Sequence, residues 1–193
     1  LEIRGAGNIL GPEQSGFLMS VGYDLYLKLL EEAVLKERGE KAPRVESVSA
    51  DLAVSANLPE GYVSSPEQRM DLYRRIARIR TEEDADDLVD ELVDRYGDPP
   101  RAVNNLISIA LLRAQAAQCG FEDISQKGLV LTFTMKDFDL KRIAALSGAA
   151  RFKGRILFSP GEKSALSLRL KPGEDVLAMG RKLVEAYQQL MAQ

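Results

Sequence analysis

Residues 81–97 read TEEDADDLVDELVDRYG. Thr81 has the hydroxyl of a helix cap, and Asp84 three positions on completes an acidic form of the capping box. Ala85, Leu88, Val89, Leu92, Val93 and Tyr96 then recur at helical spacing, and Gly97 is a stop signal. Upstream, Ser65-Pro66 reads as a cap followed by a first-turn proline, opening a helix with a buried stripe of Leu72, Ile76 and Ile79 flanked by Tyr73. Downstream, Asp98-Pro99 starts a third helix through Val103, Leu106, Ile107, Ala110, Leu111 and Ala114, which Gly120 terminates. Three consecutive helices with such short joints are expected to pack as antiparallel neighbours.

Strand signals lie on both sides of this block. Between Val45 and Asn57, Val48, Ala50, Leu52, Val54 and Ala56 alternate with polar residues, which predicts a strand. After Gly120 the pattern predicts a strand over 129–134 and a short helix over 140–146. It then predicts a hairpin of 155–158 with 165–170 around Ser159-Pro160-Gly161-Glu162, and a last helix from Glu174 to about Met191. Toward the N-terminus, Val21, Leu25, Leu29 and Ala33 predict a helix from Phe17 to Arg38, with Gly39 as its stop. The polar, proline-containing 40–43 stretch reads as a linker. The fold class expected is α+β. Residues 1–42 form a loop-and-helix appendage, and residues 43–193 a domain in which three consecutive helices pack with a small, mostly antiparallel sheet.

Composition narrows the chemistry. In 193 residues there is no histidine, which removes the usual general base and the commonest metal ligand. Cys119 is the single cysteine and follows an apolar helix. It reads as a small core residue, with no disulfide framework, and fits a reducing cytoplasm. Apolar content of 45% and a charged fraction of 28% are those of a globular domain. No apolar run approaches the ~20 residues that span a bilayer, so no membrane partner is expected. A net charge of −3 and a pI near 5.2 argue against a free-standing nucleic-acid-binding module. A small carboxylate-dependent enzyme lacks a predicted pocket for its acids. A non-catalytic piece without metal or cofactor is the expectation.

Two charge patterns stand out. Arg69, Arg74, Arg75, Arg78 and Arg80 gather around one helix. They are either a face for a DNA backbone or a solvated face pairing with the acidic helix beside it. On that acidic helix, Glu83, Asp87, Asp90 and Asp94 stand on one face with Glu91 beside them. Like charges at this spacing repel weakly, and Glu91 and Asp94 sit at the helix end that disfavours anions. Local energetics thus leaves that pair unexplained. It is either a solvated face or a docking surface for a basic partner, and both residues should be dispensable for folding.

The first sixteen residues, LEIRGAGNILGPEQSG, place Arg4 and Gln14 ten positions apart in a glycine-rich stretch. No Gly-Lys-Ser/Thr follows, so this is not a phosphate loop. The words LEIRGAG and EQSG resemble the translocation motif that follows the second motor lobe in RecG-type DNA translocases and in bacterial transcription-repair coupling factors. The words RMDLYRRI (69–76) and DELVDRYGDPP (90–100), then Asn105-Leu106, resemble the C-terminal domain of the coupling factors. RecG-type proteins end soon after the shared motif, so the long remainder favours the coupling-factor family. The start on Leu1 rather than Met reads as a piece of a longer chain.

The resemblance implies several roles. Arg4 and Gln14 would couple ATP hydrolysis to movement along duplex DNA, with ATP and magnesium held by motor lobes outside this piece. The parent would be a translocase that displaces stalled RNA polymerase and recruits excision repair. Its C-terminal domain would fold back on a UvrB-like N-terminal module and hide the surface that recruits UvrA. Glu91 and Asp94 would be the carboxylates that meet arginines of that module. The alternative is an independent DNA-contacting domain of a RecG-like helicase using the Arg69–Arg80 face.

Overall fold

The computed structural model of the protein describes residues 48–192. Ten elements follow one another: β1 (Ser49–Asp51), α1 (Pro66–Ala77), α2 (Glu82–Tyr96), α3 (Arg101–Gln118), β2 (Phe121–Lys127), β3 (Val130–Met135), α4 (Leu140–Gly148), β4 (Ile156–Ser159), β5 (Ser164–Arg169) and α5 (Val176–Met191). The strands form one sheet in the order β1-β2-β3-β5-β4. The β1–β2 pair is parallel and the other three pairs are antiparallel. The architecture is α+β, with a mostly antiparallel sheet. The expected helix over 17–38 and the domain boundary at residue 42 lie outside the described residues.

The cap signals act as their chemistry requires. Ser65 Oγ accepts from the Gln68 amide, and Pro66 occupies the first turn of α1. Thr81 Oγ1 accepts from the Asp84 amide at 3.1 Å while the Asp84 carboxylate accepts from the Thr81 amide at 3.0 Å, a reciprocal box. Gly97 follows α2 with φ of 81°, a backbone state that costs glycine nothing. Two joins and one stripe position differ from expectation. The helix after Pro99 begins at Arg101, with Pro100 at its cap and no side-chain cap bond. The helix expected from Glu174 begins at Val176, capped by Asp175. Val93 is 42% exposed and lies outside the buried stripe of α2, which is Ala85, Leu88 and Leu92.

Helix α3 is shared by two cores. Val103, Leu106, Ile107, Ala110 and Leu111 join Leu72, Ile76, Ile79, Leu88 and Leu92 in a helical core with α1 and α2. Ile109, Leu112 and Ala116 belong to a second core with the inward residues of the sheet and with α4 and α5. The sheet's inward positions are Phe121, Ile124, Leu131, Phe133, Met135, Leu166 and Leu168, all buried. Its other face carries Ser125, Thr132, Thr134 and Ser167, with Thr132 and Ser167 hydrogen-bonded across β3 and β5 at 3.1 Å.

Two strand expectations are corrected. The alternation over 45–57 makes a paired strand only at 49–51. Beyond it Leu52, Val54 and Ala56 stay half-buried against the sheet core. Side chains hold the backbone there instead: Gln126 Oε1 accepts from the Ala53 amide, and Asn105 Nδ2 donates to the Ser55 carbonyl. The chain around Gly128 (φ 56°) turns back into β3, so β2 extends only two residues past Ser125, the partner of Asp51. Second, β2 itself was not anticipated.

Candidate docking surface

Helix α1 presents Arg75 in its last turn, and α2 presents Glu91 in its third. Both helices pack on α3, which brings these side chains together in a two-pronged ion pair. Arg75 Nη1 donates to Glu91 Oε1 at 2.6 Å, and Arg75 Nη2 contacts Glu91 Oε2. Arg95, one turn along α2, donates from Nη1 to Glu91 Oε1 at 2.9 Å, and its guanidinium lies 5.1 Å from the centre of the Tyr96 ring. Arg75 and Arg95 hold the Glu91 carboxyl down to a pKa of about 2, against an ordinary value of 4.5.

The other carboxylates of α2 divide into two kinds. Some are used internally: Asp84 in the capping box, and Glu82 in contact with Arg181 of α5 while accepting from Gln115 at 3.1 Å. Glu83, Asp86, Asp87, Asp90 and Asp94 are exposed, with no ion pair to any described residue. Asp94 belongs to the free group and Glu91 does not. Of the two, only Glu91 ties α2 to α1, so its removal should cost some stability and that of Asp94 should not.

The basic cluster is partly used in the same way. Arg69 Nη1 donates to the carbonyls of Val63 and Ser64, at 2.7 and 3.0 Å. Arg80 Nη1 donates to those of Ala77 and Ile79, both at 2.9 Å. Arg75 serves Glu91. Pairing with the acidic helix next door, one of the two readings of this face, is realised at one arginine. Arg74 and Arg78 remain exposed, without an ion pair among the described residues. Arg4 and Gln14 lie outside the described residues.

Away from this surface, a pocket of about 820 Å³ lies between the end of α3, β2, the β3–α4 loop and the end of α5. Cys119 and Tyr187 line it, and Asp139, also in its wall, is tied up capping α4. Burial pushes the Cys119 thiol up to about 11, which leaves it protonated and unreactive at neutral pH. Among the described residues no cluster of acids and cysteine is placed to hold a metal, and no helix is long and apolar enough to cross a membrane.

The described residues form an α+β module in which a helical core and a sheet core share one helix. Residues 52–145 match the family model described as the TRCF domain. The chain is 34% identical over 199 residues to the transcription-repair-coupling factor of Staphylococcus epidermidis (strain ATCC 35984), covering 100% of this chain and 17% of that protein. It is 32% identical over 198 residues to that of Staphylococcus aureus (strain USA300), covering 99% and 17%. A crystal structure of the C-terminal domain of a transcription-repair coupling factor superposes with a TM-score of 0.66 at 18% identity, over 75% of this chain and 93% of that one. The chain belongs to the transcription-repair-coupling factor family, and its described part has the fold of that C-terminal domain. It spans about a sixth of the length of these relatives.

Proposed function

We propose that this chain is the non-catalytic, regulatory C-terminal part of a transcription-repair coupling factor. In the parent, an ATP-driven DNA translocase, it docks on the UvrB-like N-terminal module and masks the surface that recruits UvrA. The observation that carries this reading is the row of exposed carboxylates on α2, with Asp94 at its end, free of any partner among the described residues. The carboxylates at the C-terminal end of this row gain nothing from a solvated helix, whereas an arginine-bearing partner would relieve their repulsion. Arg4 and Gln14 belong to the same proposal as coupling residues of the translocation motif, with ATP and magnesium held elsewhere in the parent. On the Arg69–Arg80 face Arg75 is ion-paired, and Arg69 and Arg80 keep their charge but turn donors to backbone carbonyls, which leaves Arg74 and Arg78 as the arginines fully open to a phosphate.

The test is capture of full-length factor on immobilised UvrA. With Asp94→Ala and Glu91→Ala together, docking weakens and capture rises. Unchanged capture, with a folded domain shown by thermal melting, overturns the docking role. Tight duplex binding with a steep salt dependence that Arg74→Ala and Arg78→Ala abolish would favour the DNA-contact alternative instead.

A further inference from the structure

We propose that Arg75 is a built-in competitor for the docking surface, holding Glu91 until an incoming arginine takes its place. This rests on the docking reading above. A carboxylate offers about four lone-pair positions. On Glu91 three are taken, two of them by the fork of Arg75 spanning both oxygens. A second forked arginine cannot seat on the same carboxylate while Arg75 remains. The cluster of Arg75, Glu91 and Arg95 also carries two positive charges against one negative, so an approaching cation is repelled at Glu91 and drawn to Asp94, one turn further along α2.

Docking thus has an order. Asp94 makes the first contact, and Glu91 is gained by exchange. Arg75 has somewhere to go, because Asp71, exposed one turn back on α1, already lies close enough to favour its charge. An acid four residues before an arginine is the favourable helical arrangement. Arg95 takes only one lone pair of Glu91 and rests against the face of Tyr96, so it can stay in place when Arg75 leaves. The exchange also selects chemistry: a guanidinium replaces both bonds of Arg75, whereas a lysine ammonium replaces one. The partner surface presents arginine.

The experiment uses full-length factor and the same UvrA capture. Arg75→Met keeps the length and apolar stem while removing the competitor, so docking tightens and capture falls about two- to fivefold, the range of a partly exposed ion pair. Asp71→Asn removes the place Arg75 moves to, so capture rises. Arg75→Lys, which keeps the charge and loses the fork, lies between wild type and Arg75→Met and serves if Arg75→Met unfolds. If Asp94→Ala and Glu91→Ala raise capture but Arg75→Met and Arg75→Lys leave it unchanged or raise it, the competitor role is overturned and the docking reading stands. If the carboxylate substitutions do nothing, both fall.

Discussion

Glu91 is a carboxylate gripped by two arginines while a third of its side chain is still in water, and its titration follows from that. Its pKa in the folded state, about 2, lies below the ordinary 4.5. The stability it contributes is therefore complete above pH 4.5 and is lost as pH falls from there through about 2. Solvent screening limits that contribution to about 1 kcal/mol or less at neutral pH. Glu91→Gln should melt below wild type at pH 7, and the gap should close as pH falls to 2. Asp94→Asn, measured in parallel at pH 7, should melt at or slightly above wild type, since it removes an anion from the helix end that disfavours it. A constant gap for Glu91→Gln would mean that packing, not charge, holds this residue. The sequence could single out Glu91 and Asp94 together but not separate them. What separates them is an arginine sixteen residues upstream, brought close by packing on a third helix.

At the scale of elements, helices were legible because their ends announce themselves chemically: Ser65, Thr81, Gly97 and Gly120 all lie where their signals put them. Strand β2 was not legible, and the reason is a register shift between Phe121 and Asp123. It puts Phe121 and Ile124, three apart, on the same buried face, so the two-residue alternation that marks a strand is broken. Strand β1 shows the reverse, since alternation over 45–57 reports a buried side, not a pairing partner. Gly180 in α5 was also silent in the sequence. A Cβ there would lie 3.2 Å from Leu112 Cδ2 and 3.3 Å from Leu131 Cδ2, and both leucines are fully buried. Alanine gains about 1 kcal/mol of helix propensity. Overpacking at a helix–sheet contact of this tightness costs about 1–3 kcal/mol. Gly180→Ala should therefore lower stability by roughly 1 kcal/mol in a denaturant titration. A higher midpoint would show that the two leucines can give way.

At the scale of the whole molecule, α3 joins a helical core to a sheet core, and the acidic surface and the pocket sit in different halves. A docking event on α2 thus leaves the sheet half free for other contacts. The coupling role proposed for Arg4 and Gln14 belongs to this scale, since it can be tested only in the parent: Arg4→Ala or Gln14→Ala should leave ATP hydrolysis running while abolishing polymerase displacement. Displacement that survives both substitutions would end the coupling assignment. The chain enters the described part at Val48, whose carbonyl accepts from Arg113 Nε of α3 at 2.5 Å, and continues directly into β1, three residues long at the edge of the sheet. Any tension arriving along the chain from upstream meets Val48, buried in the sheet core, then the Arg113 bond and this short parallel strand. Under load, β1, with three paired residues at the sheet edge, should yield before the longer strands. Val48 would leave the sheet core with it while the helical core of α1, α2 and α3 stays whole, the strand serving as a fuse that resets on relaxation.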